Sequence, residues 1–205
     1  MNEYLTINKQ SRSELVVERS RFIAVLAHVE TEEEAMEFIS SKRSEHYDAR
    51  HNVYAYRLSN GTARFSDDGE PHSTAGKPIM DVLTGAGLFN VIAVVTRYFG
   101  GVLLGTGGLV RAYSSSIKNA VDAAEVVRMT ECAFLNINCD YSYLEPVRTY
   151  LESNNCKISE IQYEDTVKIN FTVESGLKDI IIDKITEAFS GRIVANIEKI
   201  EFSAL

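Results

Sequence analysis

The run Val91-Ile92-Ala93-Val94-Val95 is apolar at every position, and five of the chain's 12 glycines follow it between Gly100 and Gly108. An unbroken apolar run of this length suits a strand covered on both faces. Beyond the glycines, Leu109, Val110, Tyr113, Ile117, Ala120, Val121 and Ala124 recur at three- and four-residue spacing, a helical pattern that extends from Leu109 to Val127. Strand, glycine-rich turn and helix therefore follow one another directly. Glycine reaches positive φ without steric cost and admits close backbone approach. Amides at such a turn can point at an anion, and Arg97 and Arg111 stand at its two ends. The alternative is a tight connection whose glycines serve packing only.

The remaining sequence sets the context for that turn. A chain of 205 residues holds one or two domains. No run approaches the roughly 18 apolar residues that span a bilayer. Met1-Asn2-Glu3-Tyr4 shows no basic stretch leading into an apolar one, so neither a signal peptide nor membrane association is expected. Cys132, Cys139 and Cys156 are odd in number and lack a C-x-x-C pair, which suits buried free thiols in a reducing cytoplasm. The net charge of −8 argues against broad nonspecific nucleic-acid binding. Its distribution is uneven. Residues 50–118 carry seven basic against four acidic side chains, while residues 132–205 carry seven against 12. The glycine-rich turn lies in the basic part.

Taken in order, residues 3–8 and 14–28 read as strands, the second broken by an Arg19-Ser20-Arg21 turn. Thr31 and Glu34 form a capping-box pattern for a helix that fades near Ser44. Val53 to Leu58 and Thr62 to Phe65 flank Asn60-Gly61, a strong hairpin signal. Thr74 is placed to cap a helix from Ala75 to Gly85 or Gly87. After residue 130 the pattern is strand Ala133–Ile137, helix Tyr143–Leu151, strands Ile158–Tyr163 and Val167–Val173, helix Leu177–Phe189 and strand Ile193–Phe202. That order, βαββαβ, is the split ferredoxin-like motif.

Two clusters invite chemistry. His46, Asp48 and His51 lie close in sequence, but the histidine spacing is poor for one helix face. Hydrogen bonding where a strand begins, or contact with a polar ligand, is expected there rather than a metal. Asp67, Asp68, Glu70 and His72 suggest acid–base or Mg²⁺ chemistry. The competing reading is a turn whose aspartates bond nearby backbone N–H groups, and it is preferred because no nucleophile with an adjacent base accompanies the acids.

With Ser66-Asp67-Asp68-Gly69-Glu70-Pro71, Thr74-Ala75-Gly76-Lys77-Pro78, Val94-Val95-Thr96-Arg97-Tyr98-Phe99-Gly100-Gly101 and Leu104-Gly105-Thr106-Gly107-Gly108-Leu109-Val110-Arg111-Ala112-Tyr113 in this order, the chain resembles the IMPACT/YigZ family (UPF0029). His51 and Tyr54 also fit. The resemblance implies an α+β chain of two domains. Residues 1–130 would be like the second domain of ribosomal protein S5. Residues 131–205 would be ferredoxin-like, resembling the C-terminal αβ-plait of elongation factor G. It also implies a role in translation. Two positions depart from the family pattern: Ser73 stands where Gly is usual, and Leu103 where Lys is usual.

The expected function is a noncatalytic regulator of translation that binds RNA, the ribosome or a translation factor and needs no cofactor. Arg50, Arg64, Lys77, Arg97 and Arg111 would hold phosphates, with Tyr98 or Phe99 stacking on a base. His51, Gly100, Gly101, Thr106, Gly107 and Gly108 complete the expected site. Two alternatives remain: an enzyme or binding protein for a phosphorylated small molecule or nucleotide, and an adaptor that binds a protein partner without RNA. The sequence lacks the lysine-bearing P-loop pattern of ordinary NTPases.

Overall fold

The structure is a computed structural model that describes residues 2–204, and the chain divides into two compact units, Glu3–Arg128 and Met129 onward. In the first unit, strands β1 (Glu3–Ile7), β2 (Ser11–Val17) and β3 (Ser20–His28) precede helix α1 (Glu32–Glu45). There follow β4 (His51–Arg57), β5 (Ala63–Ser66), α2 (Gly76–Gly85), β6 (Val91–Tyr98) and α3 (Gly105–Asp122). The main sheet has the order β2-β3-β6-β4-β5, with antiparallel neighbours throughout.

Strand β6 sits at its centre, and its side chains alternate between two cores. Val91, Ala93 and Val95 face a cluster closed by Ile79 and Leu83 of α2 and by Tyr113 and Ile117 of α3. Ile92 and Val94 face a smaller cluster closed by Ala35 and Ile39 of α1. Both faces are covered, as the uninterrupted apolar run requires. Helix α1 begins as its sequence indicates: Thr31 Oγ1 accepts from the Glu34 N–H, and a Glu34 carboxylate oxygen accepts from the Glu30 N–H. The Asn60-Gly61 turn closes with the Leu58 N–H donating to the Thr62 carbonyl, Gly61 at φ 95°.

Several expected boundaries move. The β2–β3 turn is Glu18-Arg19, both at positive φ (45° and 67°), and Ser20 and Arg21 already belong to β3. Two positive-φ residues between a two-residue hairpin's strands usually signal Asn or Gly, so this turn carries no compositional mark. Helix α2 is not capped by Thr74, whose hydroxyl donates instead to the Pro71 carbonyl. Its first amides, on Ala75 and Gly76, donate to Asp67 Oδ1. Helix α3 starts at Gly105, four residues before its apolar stripe, and stops at Asp122 rather than Val127.

The second unit begins within β7 (Val126–Cys139) and continues through α4 (Leu144–Ser153), β8 (Lys157–Tyr163), β9 (Val167–Glu174), α5 (Lys178–Ala188) and β10 (Ala195–Ala204). β10 pairs with β7, β7 with β9, and β9 with β8, all antiparallel. This is the ferredoxin-like order read from the sequence, and the architecture is α+β. Val147 and Leu151 of α4 and Ile181 and Ile185 of α5 cover one sheet face, packing on Leu135, Ile137, Ile169 and Phe171. The other face carries polar pairs instead: Asn136 and Lys168 both donate to Glu198, and Asn170 to Glu160.

Candidate functional site

β6 delivers Arg97 to the place where the sheet ends and the glycine-rich turn begins. That turn is residues 99–104 only, since Gly105, Gly107 and Gly108 lie in the first turns of α3. Gly100 is there for packing. A Cβ on it would stand 2.1 Å from the Arg19 carbonyl carbon, and its N–H donates to Ser20 Oγ at 3.2 Å. Gly101 and Gly105 hold positive φ, at 84° and 67°. Residue 104, at the N-cap of α3, is Leu and accepts nothing through its side chain. The opening amides of α3, on Gly105, Thr106 and Gly107, therefore begin the helix without a side-chain cap, at its positive end.

A pocket of about 350 Å³ opens beside them, between the loop at residues 69–71 and the start of α3. Arg50, His51, Arg97 and Thr106 supply polar walls, and Phe99 and Leu109 are among its apolar ones. Arg97 is 5% exposed. Its Nη1 donates to Glu70 Oε1 at 2.7 Å, and its guanidinium lies 5.4 Å from the Phe22 ring centroid and 5.6 Å from that of Phe99. Its Nε is buried without a hydrogen-bond partner. The same Glu70 oxygen accepts from the Tyr113 hydroxyl at 2.8 Å. Burial and the Glu70 charge push the Tyr113 phenol well above the usual tyrosine range, so it stays a donor. His51 completes the wall, Nε2 3.8 Å from Glu70 Oε1.

The expected phosphate-binding cations do not converge. Arg50 and Arg97 share the pocket, but Arg111 and Gly108 line a separate hollow with Leu15 and Val17 of β2. Arg64 pairs with Glu32 on the surface, and Lys77 with Asp81. Tyr98 is also diverted: its hydroxyl contacts His46 Nδ1 at 2.9 Å and donates to Asp48 Oδ1 at 3.0 Å. Of the two aromatics considered for stacking, Phe99 lines the pocket and is partly exposed.

The acidic loop is a folding device. Asp67 accepts from the amides of Ser73, Ala75 and Gly76. Asp68 accepts from the Asn52 N–H and from Arg43. His72 is exposed and contacts the neighbouring Ser73 hydroxyl. Glu70 alone turns inward, as the counter-ion of Arg97. Sequence reasoning missed Tyr113 as the companion of Glu70 and Ser20 as that of Arg97, because they lie 43 and 77 residues away in the chain. No group of three potential metal ligands occurs among the described residues, and no helix among them is long and apolar enough to cross a membrane.

Residues 18–121, which contain the whole pocket, match the Impact N-terminal domain. The chain belongs to the IMPACT family. Residues 137–192 match a domain of unknown function (DUF1949). The IMPACT family member YvyE of Bacillus subtilis is 36% identical over 194 residues, 94% of this chain and 89% of its own. An IMPACT family member of Haemophilus influenzae is 35% identical over 204 residues, covering 98% and 99% of the two chains. YigZ of Escherichia coli is 40% identical over 152 residues, 72% and 74% of the two chains. A crystal structure described only as that of a hypothetical protein superposes on all of this chain and 98% of the other, with a TM-score of 0.65 at 32% identity. Ser73 sits at φ 59°, a left-handed conformation that glycine adopts without steric cost.

Proposed function

We propose that this IMPACT family chain is a noncatalytic regulator of translation that binds RNA on the ribosome, taking a backbone phosphate into the pocket at the start of α3. One observation carries the reading. The uncapped N-terminus of an 18-residue helix opens beside exposed Arg50 and beside Arg97, whose Nε is buried and unpartnered. Helix N-termini with adjacent guanidiniums favour anions through both hydrogen bonds and charge. Neutralising few phosphates, such a site binds modestly and depends on salt.

Co-sedimentation with ribosomes over a salt series tests the reading. Arg50→Glu is expected to leave the pellet at lower salt than the wild-type chain. Equal pelleting at every salt concentration would overturn it.

A second reading has its own observation: Leu103 is 87% exposed, and Val102 and Phe99 beside it are exposed too. Apolar side chains held out on a turn suit a protein partner. Partners captured equally well after nuclease treatment would favour this adaptor role.

A further inference from the structure

One polar atom on the pocket wall, Nε2 of His51, has no hydrogen-bond partner among the described residues. His51 opens β4, and its Nδ1 lies 2.7 Å from the Asp68 carbonyl oxygen. A carbonyl only accepts, so Nδ1 carries the proton and Nε2 of the neutral ring is left as an acceptor. Gly69 holds the ring from one side, since a Cβ there would stand 3.5 Å from Nδ1. Nε2 is 3.8 Å from Glu70 Oε1, beyond hydrogen-bond range, and that oxygen is itself an acceptor already engaged by Arg97 and Tyr113. His51 thus offers an unmet acceptor on a wall that also presents donors from Arg50 and the α3 amides, the Thr106 hydroxyl, and a Glu70 carboxylate whose Oε1 is engaged by Arg97 and Tyr113.

A matching ligand needs one negative charge and, close to it, one hydrogen-bond donor. Glu70 cancels the charge of Arg97, which leaves Arg50 and the positive end of α3. That balance suits the single charge of a phosphodiester better than the double charge of a terminal phosphate. Building on the RNA reading above, we infer that the pocket takes one ribonucleotide of an RNA strand and that His51 Nε2 accepts a hydrogen bond from its 2′-hydroxyl. The base then lies against Phe99. A deoxyribose leaves the His51 acceptor unmet in a half-enclosed site, which costs affinity. His51 is by this account a specificity-determining residue: it separates RNA from DNA through the one group in which their sugars differ.

Fluorescence anisotropy with labelled oligouridylate, its 2′-fluoro analogue and oligodeoxyuridylate tests the assignment. The 2′-fluoro strand keeps the ribose-like pucker and every phosphate but cannot donate. Wild-type chain is expected to bind the ribo-oligomer roughly tenfold more tightly than the 2′-fluoro one, the worth of one hydrogen bond. His51→Phe is expected to abolish that preference, and His51→Gln, which retains an acceptor, to keep part of it. Melting temperatures identify any variant that fails to fold, and the wild-type comparison decides alone in that case. Equal wild-type affinity for ribo- and 2′-fluoro-oligomers overturns the role of His51 and leaves the RNA reading standing. Binding of none of the three overturns both.

Discussion

The Arg97 guanidinium and the Glu70 carboxylate lie 2.7 Å apart, their side chains 6% and 4% exposed. Two charges so placed hold each other in a medium where neither is tolerated alone. Glu70→Ala removes one of them, leaves Arg97 uncompensated and strips Tyr113 of its acceptor. The expected loss is about 3–5 kcal/mol of unfolding free energy, read from urea titrations. A loss below about 1 kcal/mol, the scale of a surface pair, would show that the pair is not buried in solution.

Gly100→Ala places a methyl group 2.1–2.4 Å from the Arg19–Ser20 peptide. Backbone on both sides leaves nothing flexible to yield. The substitution is expected to destabilise the fold by about 3 kcal/mol or more. Gly107→Ala, whose Cβ meets nothing within 4 Å, is expected to be mildly stabilising as a helical Gly→Ala change. Thermal unfolding of the two variants gives the comparison, and equal effects would contradict the packing role assigned to Gly100.

Leu103, on the turn before α3, is 87% exposed. Leu103→Lys should leave the melting temperature unchanged. If the pocket engages RNA, it should strengthen ribosome binding and steepen the dependence of log affinity on log salt by about one unit. Sedimentation at several salt concentrations measures both.

Tyr56 is buried, donates to Glu32 at 2.8 Å, and has its phenol pushed up to about 12 by burial and by that carboxylate. The folded chain therefore holds this proton more tightly than the unfolded one, whose tyrosines ionise near about 10. The stability it contributes is complete below about pH 10 and is lost as pH rises toward 12. Tyr56→Phe is expected to flatten the fall in stability across that window, measured by denaturant titration at stepped alkaline pH. Parallel wild-type and variant curves would reject the assignment.

The elements that depend on local signals were legible before the structure. Apolar β6, the Thr31 cap, the Asn60-Gly61 hairpin and the order of the second unit all followed from spacing and turn chemistry. Helix α3 differs from its apolar pattern at both ends because its first turn is glycine-rich and that pattern runs past Asp122 toward β7. The candidate site was less legible. Arginines look alike in a sequence, but pairing separates them: Arg97 goes inside with Glu70, Arg64 to the surface with Glu32, and Arg111 to another hollow. Asp67 and Glu70 stand three residues apart, yet one caps a helix and the other balances a buried cation. Long-range partners separate them: Glu70 meets Arg97 of β6 and Tyr113 of α3, while Asp67 meets the start of α2.

With no side chain to act as a spacer, Gly100 presses directly on the tip of the β2–β3 hairpin, and Ser20 ties the two together while also reaching Arg97. An exposed turn and a buried guanidinium thus share one serine hydroxyl as their go-between.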